Sequence, residues 1–272
     1  MEEHTAKQVL ENCNIKKQDA RYILCYILNV DNVTLLTNDK IEITDEDIEK
    51  FENIVKKIEN GMPLEYAIGK SSFMGLDFFV NENVLIPRLE TELLVSEVIK
   101  YINTENKKSF IDMCCGSGCI FVSILHFTKA NCTAVDISRE ALNIAKKNAT
   151  HNNILSRVNF IESDLFRNID KNKKVDIIVS NPPYIPTKDM TLLEESVKNY
   201  EPNIALDGGI NGLYFYNQIA KKATDYLLPD GTIFLEIGYN QGEDIKNIFK
   251  NFANVTIKKD YANHDRIAII KK

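Results

Sequence analysis

The chain has 272 residues, 44% of them hydrophobic, and a formal charge of −6. That length can bury a core in one large unit with a smaller one beside it, and the acidic balance offers no general attraction for phosphate backbones. Its six cysteines, Cys13, Cys25, Cys114, Cys115, Cys119 and Cys132, lack the spacing of a disulfide framework and read as reduced intracellular thiols.

The opening MEEHTAKQVLEN is charged and amphipathic, and no stretch approaches the roughly 18 uninterrupted apolar residues of a membrane span, so a soluble cytoplasmic protein is expected. Residues 1–62 read as a small helical domain. In QDARYILCYILNV, Ile23, Tyr26, Ile27 and Val30 recur at helical steps. ITDEDIEKFENIVKKIENGMP opens on a capping Thr44 with Asp47 behind it, carries Ile48, Phe51, Val55 and Ile58 on one face, and stops at Gly61 before Pro63. Residues 63–88 turn to aromatic and β-branched residues broken by Gly69, Gly75 and NEN, which predicts a hairpin linker. Over residues 89–272, the runs SFIDM, CTAVDI, VNFIESD, VDIIVS and GTIFLEIG alternate with helical stretches. That grammar predicts an α/β domain whose mostly parallel sheet is covered by helices on both faces, with a final antiparallel hairpin in NVTIKKDYANHDRIAIIKK.

Two stretches carry chemistry. FIDMCCGSGCI runs from a strand into a helix through Gly116 and Gly118, where missing Cβ atoms and unpaired helix N–H groups suit a close ligand. A dinucleotide fingerprint would want a third glycine where Phe121 stands, which weakens a pyrophosphate reading. Asp136, at the end of the next strand, can accept from both hydroxyls of a ribose, which suits an adenosine-containing ligand. Cys114, Cys115 and Cys119 have no paired cysteines or histidines around them and read as small fillers of the turn, not as metal ligands.

The second stretch is SNPPYI, just beyond the strand VDIIVS and therefore at the ligand-binding edge of a parallel sheet. Pro182 and Pro183 fix the backbone and remove donors, Asn181 adds a side-chain carbonyl, and Tyr184 adds a flat face. Two acceptors and an aromatic face can hold a planar NH2 by both hydrogens and aim its weak lone pair at a methyl donor. The planar group can be an amide or a nucleobase amine on this reading. A cofactor-binding protein without catalysis stands as a third possibility.

These residues resemble the class I S-adenosylmethionine-dependent methyltransferases. PLEYAIGKSSFMGLDFFVNENVLIPRLETELLV, DMCCGSGCI, SNPPYI and EPNIALDGGINGLYFY follow one another as in the peptide chain release factor N5-glutamine methyltransferases, over the whole chain. The resemblance implies transfer of a methyl group from S-adenosyl-L-methionine to the side-chain amide N5 of the glutamine in a Gly-Gly-Gln motif, with release factors as partners. It implies a cofactor site at Cys114, Cys115, Gly116, Ser117, Gly118, Asp136, Phe166 and Asn181, with Phe166 packed near the adenine. It puts the substrate clamp at Asn181, Pro182, Pro183 and Tyr184, of which Asn181, Pro182 and Tyr184 are the catalytic set. It implies a substrate-binding role for the helical domain at 1–62.

The loop departs from the family's usual Gly-Thr-Gly at Cys114 and Cys115, and Leu89 and Glu90 stand where Pro and Asp are usual, while Arg88, Thr91 and Glu92 are kept. Gly208, Gly209 and Gly212 read as permitting a tight loop over the pocket. The alternative substrate, an adenine N6 or guanine N2 of nucleic acid, fits the same planar chemistry. Against it stand the acidic balance and the short stretch left after Tyr184 for a base-reading domain.

Overall fold

A computed structural model of the chain describes residues 4–38 and 40–272. Within them, residues up to 69 together with 195–200 form one compact unit, and residues 70–194 with 201–272 form the other.

The first unit is helical: α1 (Ala6–Asn12), α2 (Lys17–Leu28), α3 (Asn32–Thr37), α4 (Asp45–Glu59) and α5 (Leu64–Ile68), with a short antiparallel pairing of β1 (His4–Thr5) and β2 (Glu42–Ile43). Thr5 caps α1 in a reciprocal box with Gln8, and the Thr44 hydroxyl accepts from Asp47 N at 3.2 Å to start α4. The buried stripe of α2 is Ala20, Ile23 and Leu24, while Tyr26 is 42% exposed and Val30 lies past the left-handed cap Asn29. The inward face of α2 is thus shifted from the one the spacing suggests. On α4, Phe51 and Ile54 are buried and join Leu35, Ile43 and Ala67 in a common core.

Residues 64–68 are a helix and not the start of the hairpin. Pro63 suits a helix start, and Gly69 at φ 79° supplies the left-handed residue that ends it. The hairpin itself is β3 (Lys70–Phe73) and β4 (Leu76–Phe79), turned by Met74 and Gly75, both at positive φ.

The second unit continues through α6 (Leu89–Glu105), β5 (Ser109–Met113), α7 (Cys119–Phe127), β6 (Asn131–Asp136), α8 (Arg139–His151), β7 (Val158–Glu162) and β8 (Val175–Ser180). After α9 (Glu195–Tyr200), which belongs to the first unit, come α10 (Tyr214–Tyr226), β9 (Leu227–Glu236), α11 (Gly242–Ile248), β10 (Asn254–Lys259) and β11 (Asp265–Lys271). The sheet has 7 strands in the order β10-β11-β9-β8-β5-β6-β7. Strands β5 to β9 run parallel, and β11 is antiparallel to both β9 and β10, so the chain closes in the expected antiparallel hairpin.

The central strands are apolar on both faces. Phe110, Ile177, Val179 and Phe234 face one buried cluster, while Ile111, Met113, Ile178, Ile233 and Leu235 face another. From β5 the chain moves outward to β6 and β7, then returns to β8 on the opposite side. The strand order therefore reverses between β5 and β8, which opens a crevice beyond their carboxyl ends.

Candidate active site

One cavity occupies that crevice, entirely within the second unit. Its wall takes Asn83 to Arg88 and Thr91 from the segment into α6, Met113 to Ser117 from the loop after β5, Asp136 to Ser138 after β6, Ser163 to Leu165 after β7, Asn181 and Pro183 after β8, and Tyr214 and Phe215 at the start of α10. Of the residues singled out from sequence, Cys114, Cys115, Gly116, Ser117, Asp136, Asn181 and Pro183 line it together; Gly118, Phe166, Pro182 and Tyr184 do not.

The loop after β5 is shaped by its backbone. Cys114, Gly116 and Gly118 have φ of 60°, 52° and 82°. Cys115 N donates to Val135 O at 3.0 Å and Gly118 N to Cys115 O at 2.8 Å. A Cβ on Gly118 would lie 2.6 Å from the Phe121 ring, whereas one on Gly116 would meet nothing within 4 Å. Gly118 is therefore required by packing, and Gly116 leaves room at the cavity wall. The fully buried Asn148 on α8 braces the loop from behind: its Nδ2 donates to Ser117 O at 2.8 Å and to Phe79 O at 2.9 Å, and its Oδ1 accepts from Phe79 N at 2.7 Å. Burial raises the Cys114 thiol and pushes Cys119 up to about 12, so both stay protonated as fillers of the wall.

Asp136 accepts from Gly116 N at 2.8 Å and Ser138 N at 3.0 Å. Burial raises its carboxyl while those N–H donors hold it down. Each oxygen keeps lone-pair capacity beyond the bond it already accepts. Phe166 lies in the core, stacked on Tyr226 with centroids 4.6 Å apart, and its neighbour Leu165, at φ 48°, takes the wall position instead. Burying the larger ring favours that exchange.

At the end of β8 the Ser180 hydroxyl donates to Met113 O at 2.5 Å, tying the two strand ends together. Asn181 Nδ2 donates to Thr91 Oγ1 at 3.2 Å, and Oδ1 has no protein donor among the described residues. Pro182 is buried, and its carbonyl likewise accepts nothing among them. The Tyr184 carbonyl is engaged, accepting from Gln241 Nε2 at 3.2 Å. The Tyr184 ring packs on the core below the turn, with its hydroxyl 3.4 Å from Glu236 Oε1. The aromatic surface expected from Tyr184 is supplied at the wall by Tyr214 and Phe215, an edge-to-face pair with centroids 5.2 Å apart.

Gly208 and Gly212 lie tight against this turn. A Cβ on the first would come within 2.6 Å of Tyr184 Cα, and on the second within 2.2 Å of Tyr184 O. Beside them Ile185 N donates to Leu206 O at 3.0 Å and Gly208 N to Ile185 O at 2.8 Å. Arg88 pairs with the buried Glu201 at 2.5 Å, and Glu201 also accepts from Ile86 N at 3.4 Å, which joins the strap before α6 to the loop after α9. Glu92 accepts from Met74 N at 2.6 Å and so serves the hairpin turn, outside the cavity wall.

Sequence reading passed over Glu236. It ends β9, is 1% exposed, and accepts from the Thr91 hydroxyl at 2.6 Å; burial pushes its carboxyl up to about 7. The available signal was a lone acid inside the apolar run TIFLEIG.

The geometry has counterparts. Residues 4–69 match the PrmC N-terminal domain, and residues 89–211 match the Methyltransferase small domain. The release factor glutamine methyltransferase of Fusobacterium nucleatum is 41% identical over 258 residues, 93% of this chain and 73% of that protein. That of Clostridium acetobutylicum is 38% identical over 256 residues, 93% of this chain and 90% of that protein. Among solved structures, the hMettl16 catalytic domain in complex with a 3′UTR hairpin gives a TM-score of 0.59 at 14% identity, covering 84% of this chain and 82% of that one. A T. thermophilus 16S rRNA methyltransferase in complex with AdoMet and guanosine gives 0.52 at 15% identity, over 75% of this chain and 49% of that one. At those identities the likeness is one of fold, that of the class I methyltransferases. With curated relatives matching across both units, this chain belongs to the release factor glutamine methyltransferase family.

Proposed function

We propose that this protein moves a methyl group from S-adenosylmethionine to the side-chain amide N5 of the glutamine in a release factor's Gly-Gly-Gln loop, and that Asn181 and Pro182 hold that amide. The observation that carries the reading is the unpartnered Asn181 Oδ1 on the wall of the same cavity as Asp136.

The cavity fits the donor's parts. The open space at the Gly116 Cβ position lets a ligand lie along the loop 114–118, and Asp136 would take the ribose hydroxyls. S-adenosylmethionine, when bound, supplies an electrophilic methyl carbon on a sulfonium. What the protein adds is position. An amide nitrogen is a weak nucleophile because its lone pair is spread into the carbonyl. Asn181 Oδ1 accepts one of its hydrogens at the cavity wall, and the adjacent Pro182 carbonyl, which accepts from no described residue although Pro182 itself is buried off that wall, takes the other, which fixes its plane and direction. Pro182 and Pro183, with φ locked by their rings, keep that carbonyl in place without a competing N–H. After transfer the nitrogen is acidic and loses its proton readily, so no strong base beside it is needed. Tyr214 and Phe215 offer an apolar wall beside the amide.

Among the described residues no helix is long and apolar enough to cross a membrane. A translation factor as substrate is in keeping with a cytoplasmic enzyme, and with a protein rather than nucleic acid as partner.

The test is direct. Purified protein, S-adenosylmethionine and a release factor are incubated and the glutamine-loop peptide is analysed by mass spectrometry. A gain of one CH2 on the glutamine is expected. Methyl transfer to nucleic acid with none to the release factor would overturn the reading.

A further inference from the structure

We infer that Glu236 is a positioning residue that decides which end of the Asn181 amide faces the substrate, acting through the Thr91 hydroxyl. The inference rests on the clamp reading above, in which Asn181 Oδ1 receives a substrate N–H. Thr91, 2% exposed in the first turn of α6, lies 2.6 Å from Glu236 Oε2 and 3.2 Å from Asn181 Nδ2. A hydroxyl has one hydrogen to give. When that hydrogen goes to a carboxylate, only lone pairs remain for Asn181, which must then present its NH2 to Thr91. Its Oδ1 is left for the cavity, the orientation a substrate amide requires.

A proton on Glu236 permits the opposite chain. The carboxyl then donates to Thr91, Thr91 donates to Asn181, and the amide turns its NH2 toward the substrate's own N–H. Two donors face one another, and the clamp loses an acceptor. Asn181 itself carries no charge, so the direction of its hydrogen bond is inherited from a group two bonds away.

The groups facing Glu236 come from several elements. Thr91 and Glu90 come from α6, Tyr184 from the turn after β8, Arg266 from β11, and Tyr216 from α10, whose hydroxyl donates to the Glu236 carbonyl at 3.0 Å. Burial and Glu90 favour the neutral carboxyl, whereas the bonds from Thr91 and Tyr184 and the charge of Arg266 favour the carboxylate. The balance leaves both forms populated near neutrality.

The experiment measures kcat and kcat/KM for the release factor against pH with donor saturating, for the wild type, Glu236→Gln, Thr91→Val, Thr91→Ser and Asn181→Ala, with donor Kd by calorimetry as the check of folding. In the wild type, kcat/KM for the release factor, which reports ionisation of the enzyme before that substrate binds, is expected to fall through a single ionisation as pH drops below about 7. Glu236→Gln, which cannot titrate, loses that step. Thr91→Val loses about 10- to 100-fold in kcat at unchanged donor Kd, and Thr91→Ser, which restores the hydroxyl, recovers most of the loss. A Glu236→Gln enzyme that keeps the wild-type step, or a Thr91→Val enzyme of wild-type kcat beside a crippled Asn181→Ala, would overturn the relay and leave the clamp standing. Wild-type turnover in Asn181→Ala would remove the clamp, and the relay with it. Should Glu236→Gln fail to fold, the Thr91 pair decides alone.

Discussion

The loop after β5 and the turn after β8 stand side by side at one sheet edge, yet they hold their shapes by different means. The first is set by backbone: three positive φ angles, at Cys114, Gly116 and Gly118, braced by Asn148 and Asp136. The second has its backbone fixed by two prolines, and its working atom is oriented by a buried polar chain through Thr91 to Glu236. A backbone cradle tolerates exchange of most side chains, provided the glycines stay. A side-chain chain depends on every member and on the charge of the last. On the proposed function the first region binds the donor and the second aligns the amide, and each role can be broken separately.

The largest effect falls on the second region. Asn181→Ala is expected to lower kcat by about 100- to 1000-fold, the scale of losing one aligned polar contact at a reacting group, with donor Kd near the wild-type value. Turnover and donor affinity falling in parallel would merge the two regions into one. The first region has its counterpart in Gly118→Ala. The new Cβ meets Phe121 at 2.6 Å in the left-handed φ of 82°, and Phe121 is fully buried against Phe160. Conformational strain of about 1–2 kcal/mol and overpacking of about 1–3 kcal/mol together predict a stability loss of about 2–5 kcal/mol in denaturant titration. A loss under about 1 kcal/mol would show that the ring yields and that the glycine is not a packing requirement.

Much of this contrast was legible in the sequence, and the part that was not has a common cause. Strand runs such as VDIIVS and SFIDM are mostly apolar without alternation, the pattern of strands buried on both faces, and they recur between helical stretches, so the sheet could be read in order. Gly116, Gly118, Asp136 and Asn181 announce themselves by residue type at strand ends. Glu236 and Asn148 do not, because their partners lie far away along the chain: Thr91 is 145 residues from Glu236, and Phe79 is 69 from Asn148. Tyr184 and Phe166 stand off the cavity wall for a related reason. Pattern shows that an aromatic stands near a strand end, whereas the competition for core volume decides which way it turns. The helix Leu64–Ile68 is too short for periodicity to distinguish it from the hairpin that follows.

The electrostatic half of the comparison is tested by stability against pH. The Glu236 carboxyl binds its proton more tightly in the folded chain than in the unfolded one, where its ordinary value is 4.5. Its contribution to stability is therefore full below about 4.5 and is lost as pH rises through about 7. Between about pH 5 and about pH 8, the stability of the wild type relative to Glu236→Gln should fall by about 2–3 kcal/mol. A constant difference between the two proteins would mean that the carboxyl titrates in its usual range. Charging Glu236 near neutrality then costs stability in the state that orients Asn181 for the amide.

The smallest effect isolates the donor side. Asp136→Ala should weaken donor binding by about 1.5–3 kcal/mol, the range for hydrogen bonds to a charged group, while saturating donor restores most of kcat. Part of that loss has a second source, since the same carboxylate holds Gly116 N and Ser138 N, and removing it loosens the loop as well as the ribose contact. Asp136→Asn separates the two. One amide oxygen can still accept a backbone N–H, whereas the NH2 cannot accept from a hydroxyl. If the ribose contact dominates, Asn behaves nearly as Ala in donor Kd. If loop bracing dominates, Asn, whose single oxygen keeps one of the two backbone bonds, falls between Ala and wild type in donor Kd, and Asp136 is then mainly a structural member of the cradle.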